Sequence, residues 1–284
     1  MSRTVYVNGD FVAEEDAKIS VFDRGFLFAD GVYEVTSVLE GKLVDFDGHA
    51  KRLARSLTEL SMDAPVDEDE LLAIQRELVQ RNNLTEGVIY LQVTRGAADR
   101  DFLYPDNATP SLVLFTQEKS LVDAASATTG IKVISVPDIR WARRDIKTVQ
   151  LLAPSMCKMA AKAQGADDAW MVEDGFVTEG TSNNAYIVTQ DNTIVTRNLS
   201  NAILHGITRR AVLQLAAESQ MKIEERPFTV EEVKSAREAF VTAASTFVCP
   251  VVQIDGDAIG TGTPGPVAQR LREIYIADSR AKAI

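Results

Sequence analysis

A mixed α/β chain folded as two domains is what the sequence predicts. Three observations carry it. Strand-like and helical stretches alternate through both halves of the chain. A run of small and polar residues without periodicity separates the halves. The 284 residues exceed one ordinary domain and suit two. The expected division is a smaller N-terminal α/β domain over 1–118, a linker over 119–130 and a larger C-terminal domain over 131–284.

In chain order, 4–7 reads as a strand before an Asn8-Gly9 turn. The β-rich run 31–39 turns at Glu40-Gly41-Lys42 and returns over 43–46. A helix is expected over 47–60, where Ala50, Leu53, Ala54, Leu57 and Leu60 fall at helical spacing. A second helix is expected over 68–81, with Asp67 as its N-cap. Strands follow at 88–94 and 111–116. Beyond the linker, 131–136 reads as a strand and 148–163 as a helix, with Pro154 in a first turn or at a break. Further strands are expected at 169–172, 184–188, 193–196, 239–243 and 251–254, and helices at 208–219 and 267–276.

Composition narrows the function. A formal net charge of −11 suits a phosphate backbone poorly, so no nucleic-acid partner is expected. Two histidines, His49 and His205, leave no His-rich metal site, and no metal is expected. No run approaches the ~20 apolar residues of a membrane helix, and the first residues carry no apolar signal core. Two cysteines in apolar surroundings are too few for a disulfide framework. A cytoplasmic protein is expected. Its strong chemistry must come from Lys, Arg, Tyr, Asp, Glu or a cofactor.

Two segments stand out. Asp145-Ile146-Lys147-Thr148 sets a lysine among apolar residues, where burial disfavours its charge and favours a nucleophile able to form a Schiff base. Val177-Thr178-Glu179-Gly180-Thr181-Ser182-Asn183-Asn184 reads as a loop between two strands, with Glu179 at its mouth. Taken singly, each has a plain structural reading: a solvated lysine, an ordinary turn.

Together, and in this order, they resemble the fold-type IV pyridoxal-phosphate-dependent aminotransferase family. The resemblance covers nearly the whole chain. It includes Asp23-Arg24-Gly25, Asp30-Gly31-Val32-Tyr33-Glu34, His49-Ala50-Lys51-Arg52-Leu53, Val93-Thr94-Arg95-Gly96, Ile139-Arg140-Trp141 and Gly206-Ile207-Thr208-Arg209. Among the members, the D-amino acid transaminases look closest.

The resemblance implies roles. Lys147 matches the lysine that holds pyridoxal 5'-phosphate and moves the substrate proton. Glu179 matches the carboxylate facing the pyridine nitrogen, which keeps the ring protonated. Arg52 matches the arginine on the cofactor phosphate; without the family it reads as a solvated helix residue. Ile207 and Thr208 match the helix start that receives the same phosphate; without the family, Thr208 reads as a plain N-cap worth ~1 kcal/mol. The family takes a further phosphate contact from a strand-end hydroxyl, and this chain departs from that pattern with two alanines in Thr242-Ala243-Ala244-Ser245-Thr246. Tyr33 matches a pocket tyrosine near the substrate carboxylate. Arg100 matches an arginine that traps the α-carboxylate, and Phe102 stands where the family usually has histidine.

The expected activity is ping-pong transamination from a D-amino acid such as D-alanine to a 2-oxo acid such as 2-oxoglutarate. The alternatives are a branched-chain amino acid or (R)-amine transaminase, then aminodeoxychorismate lyase. Small-molecule amino donors and 2-oxo acids are the expected partners, and the family implies a homodimer.

Overall fold

The computed structural model describes residues 2–284, which fall into two compact units. The first holds residues up to 120 together with 146–150 and 279–284. The second holds 121–145 and 151–278.

The first unit contains β1 (Thr4–Val7), β2 (Asp10–Ala13), α1 (Arg24–Phe28), β3 (Gly31–Leu39), β4 (Lys42–Leu43), α2 (Phe46–Glu59), α3 (Glu68–Arg81), β5 (Glu86–Thr94) and β6 (Ser111–Glu118). Its strands form one antiparallel sheet in the order β2-β1-β6-β5-β3-β4. Apolar side chains of β3, β5 and β6, among them Val32, Leu91, Val93 and Leu114, meet Leu53, Leu57, Leu71 and Leu78 of α2 and α3 in one core. The Asp67 side chain accepts from Glu70 N at 2.8 Å, the expected cap of α3.

Two details depart from the sequence pattern. Ala54 of α2 is exposed, while His49, Arg52 and Ser56 are buried beside Leu53 and Leu57. The inward face of α2 is therefore part polar, and Arg52 is not the solvated residue that the helix pattern alone suggests. The helix expected over 148–163 starts only at Leu152. Residues 147–149 instead bond to β3: Tyr33 N donates to Lys147 O at 2.9 Å and Val149 N to Gly31 O at 3.1 Å. With those groups spent on a bridge between Val32 and Thr148, no helix can begin there.

The second unit contains α4 (Ala125–Thr129), β7 (Ile131–Pro137), α5 (Leu152–Ala163), β8 (Asp168–Glu173), β9 (Phe176–Gly180), β10 (Asn184–Val188), β11 (Thr193–Thr196), α6 (Ile207–Glu218), β12 (Lys222–Glu225), α7 (Val230–Ser235), β13 (Glu238–Ala243), β14 (Phe247–Ile254) and β15 (Asp257–Ala258). Its helix α8 (Pro266–Lys282) ends in residues that group with the first unit. The sheet is mixed, in the order β12-β11-β10-β13-β14-β7-β8-β9, with β15 on β14. Pro154 lies in the first turn of α5, where its missing N–H costs no bond. The stretch expected as a linker carries the short α4, and Arg272 of α8 donates to Val122 O at 2.9 Å.

Strand β9 has no counterpart in the sequence reading. It pairs with β8, so Glu179 is a buried strand residue and not the mouth of a loop. The reason is pattern: Phe176, Val177, Thr178 and Glu179 do not alternate in hydrophobicity, because Val177 through Gly180 are all covered.

Candidate active site

In the first unit, Tyr33 and Lys147 are brought side by side by the backbone bridge, although 114 residues separate them in sequence (147 − 33). Lys147 Nζ lies 4.1 Å from the centre of the Tyr33 ring. Tyr33 stacks on Tyr90, and Tyr90 on Phe115. Among the described residues, no carboxylate pairs with Lys147. A half-buried amine held on an aromatic face, with no counter-ion, is placed to act as a nucleophile.

Beside Tyr33 along β3, on the opposite face, lies Glu34. Its carboxylate takes both Nε and Nη2 of Arg52 at 2.7 Å, and Nδ1 of His49 at 2.8 Å. Burial alone would push the Glu34 carboxyl up. The charge and hydrogen bonds of Arg52, followed by those of His49, outweigh it and hold the group at about 2. Arg52 is thus locked in orientation before any anion arrives.

Arg100 and Phe102 lie on the loop after β5. Gly96 opens that loop at φ +94°, where a side chain would collide with the Thr109 carbonyl. The Arg100 guanidinium sits 5.3 Å from the Phe28 ring and 5.6 Å from the Phe102 ring. Phe102 is 80% exposed. Arg100 is an exposed cation bracketed by aromatic rings, rather than one neutralised by the neighbouring Asp99 and Asp101.

In the second unit, the Glu179 carboxylate receives Arg140 Nη1 at 2.6 Å, Asn184 Nδ2 at 3.0 Å and the Leu204 N–H at 3.1 and 3.2 Å. Arg140 is shared. Its Nε and Nη2 grip Asp138 at 3.0 and 2.7 Å, and Asp138 also accepts from Thr178 Oγ1 at 2.7 Å. Burial pushes the Glu179 carboxyl above its ordinary range. Arg140 and the Leu204 N–H oppose this only in part, and Asp138 adds to the rise.

Helix α6 begins after Gly206, and no side chain caps it. Thr208 lies within its first turn and is not the N-cap. The first N–H groups of a twelve-residue helix are therefore left for another acceptor, and an anion suits them. A side chain at Gly206 would collide with Asn184, which bonds Glu179, so the helix start and the carboxylate share one support. Glu34, His49, Asp138 and Asn184 have no individual role in the sequence reading, and Arg140 enters it only as part of a motif.

The Amino-transferase class IV family model matches residues 31–254. The D-alanine aminotransferase of Bacillus licheniformis is 39% identical over 268 residues, covering 94% of each chain. That of Staphylococcus haemolyticus is 37% identical over 269 residues, covering 95% of each. Among solved structures, a T.th. branched-chain amino acid aminotransferase with pyridoxamine 5'-phosphate superposes with a TM-score of 0.91 at 28% identity, over 99% of this chain and 95% of that one. The Escherichia coli branched-chain amino acid aminotransferase gives 0.91 at 22% identity over 98% and 95%, a likeness of fold.

Proposed function

We propose, for a chain that belongs to the class IV aminotransferases, that it transfers the amino group of a D-amino acid such as D-alanine to a 2-oxo acid such as 2-oxoglutarate. Likeness along nearly the whole chain to D-alanine aminotransferases supports the substrate class. The observation that carries the chemistry is Lys147, an amine on an aromatic face without a counter-ion.

The residues present fit pyridoxal 5'-phosphate. An uncapped helix start and a braced arginine suit a phosphate, a buried carboxyl suits a pyridine nitrogen, and an unpaired amine suits an aldehyde. When bound, the cofactor supplies that aldehyde and a ring that takes up electron density. Arg52 and the N–H groups of Ile207 and Thr208 are the groups that would hold the phosphate. Lys147 would hold the group through its amine in the resting enzyme and, once the donor has displaced it, would move the proton at the substrate α-carbon. Glu179 would be the partner of the pyridine nitrogen, where its raised proton affinity favours sharing a proton. Tyr33 and Arg100 bind the substrate carboxylate, with Phe102 as an apolar wall.

Phe102 favours a second reading. Without a hydrogen-bond donor at that position the carboxylate is held less tightly, so amino donors that lack a carboxylate, the (R)-amines, are penalised less. The chain assembles as a homodimer, supported by Phe22 and Phe26, which stand 56% and 74% exposed. Sedimentation velocity checks this: a monomer at micromolar concentration overturns it. Both cysteines are unpaired and buried, in keeping with the cytoplasm. No helix of the described residues is long and apolar enough to cross a membrane.

The test is a half-reaction panel. The cofactor absorbance is followed while D-alanine, D-glutamate, L-leucine and (R)-1-phenylethylamine are added separately. D-Alanine should convert it fastest, and faster conversion by L-leucine overturns the substrate class. Borohydride reduction followed by peptide mapping should find the label on Lys147. A label on Lys158 or Lys162 overturns that assignment.

A further inference from the structure

The loop that carries Arg100 has almost nothing of its own to order it. Residues 99–104 all expose their side chains, so no buried apolar contact fixes the path of the backbone. Its order comes from beneath. Arg24 is buried, and its Nη1 donates to Asp101 O at 2.6 Å and to Leu103 O at 3.4 Å. Those two carbonyls lie on either side of Phe102, and Asp101 follows Arg100 directly. The Arg24 fork is itself held, since its Nε donates to Asp30 Oδ2 at 2.7 Å.

The same carboxylate holds a second buried arginine. Arg95 donates to Asp30 through Nε at 2.8 Å and Nη2 at 3.1 Å, and to the Leu60 and Ser61 carbonyls at the end of α2. The Arg95 guanidinium lies 3.5 Å from the centre of the Tyr104 ring, which closes the loop from its other end. One carboxylate thus fixes two guanidiniums. One of these grips the loop backbone around Phe102 and the other stacks under Tyr104.

We propose that Arg24, Arg95 and Tyr104, fixed by Asp30, are positioning residues that hold the loop so that Arg100 meets the substrate carboxylate. They set the affinity for carboxylate-bearing donors without touching the donor. This rests on the reading of Arg100 given above. The physical case is preorganisation. A flexible long side chain on a flexible loop loses conformational freedom on binding, and each element fixed beforehand removes part of that loss. A rigid scaffold beneath a loop of exposed side chains is how such freedom is restricted without burying the loop itself.

Two variants of the holoenzyme test it, with Arg100→Ala as comparator. Arg24→Lys keeps a cation beside Asp30 but cannot also fork to two carbonyls. Tyr104→Leu removes the ring over Arg95 from a surface position and guards against a misfolded Arg24 variant. Amide hydrogen exchange over 99–105, cofactor retention, and KM and kcat for D-alanine are measured for each. In both variants exchange across the loop should quicken. KM should rise, by roughly tenfold for Arg24→Lys and less for Tyr104→Leu, while kcat stays within about twofold and the cofactor is retained. Unchanged loop exchange overturns the proposal. So does quickened exchange with an unchanged KM when Arg100→Ala raises KM, because loop order would then not serve Arg100. If Arg100→Ala itself leaves KM unchanged, the carboxylate reading of Arg100 fails and takes this role with it, a result distinct from the other two.

Discussion

Glu34 in the first unit and Glu179 in the second are each 3% exposed, and each is bonded to an arginine, yet their proton affinities move in opposite directions. The difference lies in how each arginine is turned and in what stands beside it. Arg52 turns two donors of its fork to Glu34, and His49 adds a third bond. Arg140 gives its fork to Asp138 and a single N–H to Glu179. Burial is the same obstacle in both places. A fork turned on the carboxylate, with His49 beside it, overcomes it; a single N–H from a guanidinium forked on a second buried carboxylate does not. The consequence is a contrast: the Glu34 carboxyl is held in its charged form and braces Arg52, whereas the Glu179 carboxyl holds a proton more readily than an ordinary one.

The largest expected effect is on stability. Glu34→Ala removes the buried carboxylate that Arg52 and His49 share and should cost about 3–5 kcal/mol. Glu179→Gln keeps one acceptor oxygen for Arg140 but turns an amide NH2 toward a buried donor, so it should cost about 1–3 kcal/mol, less than Glu34→Ala. Its defect should appear in single-turnover proton transfer. Urea unfolding of both apoproteins checks the pair. Equal losses would break the comparison.

Acid should separate the two carboxyls next. The Glu34 group falls from 4.5 to about 2 on folding, so its contribution is fully present above about 4.5 and lost as pH drops toward 2. At 1.36 kcal/mol per unit this amounts to about 3 kcal/mol. Glu179 has the opposite sign: a raised group favours the fold at low pH and ceases to do so as pH rises through its folded value. Unfolding free energies at pH 5 and pH 3 should therefore fall steeply for the native chain and less for Glu34→Gln. An identical slope in the two proteins would show that Glu34 is not the group responsible.

Asp138→Asn asks directly whether sharing is the cause. The substitution keeps hydrogen-bond acceptance from Arg140 and removes the competing charge, so the Glu179 carboxyl should titrate lower than in the native chain. Infrared difference spectra of the carboxyl band across pH report this without turnover. A band that titrates as before would mean that burial alone governs Glu179.

These pairings mark where the sequence stops being legible. The strand Gly31–Leu39 is readable because a β-rich run ends in a Glu40-Gly41 turn, and α3 because Asp67 caps an amphipathic segment. Lys147, Glu179 and Arg52 stand out through motif order. Their partners do not, because Arg52 meets Glu34 across 18 residues and Arg140 meets Glu179 across 39, and no local pattern encodes either meeting. Glu34 looks like one more polar residue in an alternating strand until α2 lays His49 and Arg52 over it. Lys147 reads as the start of a helix because nothing local reveals that β3 claims its backbone.

Arg100 extends the comparison to a third arginine. Arg52 turns its fork on Glu34, Arg140 turns its fork on Asp138, and Arg100 has no carboxylate partner among the described residues, only the rings of Phe28 and Phe102. A guanidinium in that state can accept a carboxylate from outside the chain. Phe102→His tests whether position 102 faces the same anion. An imidazole there would donate to the carboxylate where the phenyl ring cannot. Charged hydrogen bonds are worth about 1.5–3 kcal/mol when buried, but Phe102 is 80% exposed, so solvent screening brings the gain below about 1 kcal/mol. KM for D-alanine should fall by roughly threefold, the smallest effect expected for these three arginines. The gain should be larger at pH 6 than at pH 8, because a histidine titrating near about 6.5 adds a charge only on the acid side. Steady-state kinetics at both pH values decide it. A KM that ignores both the substitution and the pH would mean that position 102 does not face the carboxylate, and Arg100 would then have to bind it with no help from its own loop.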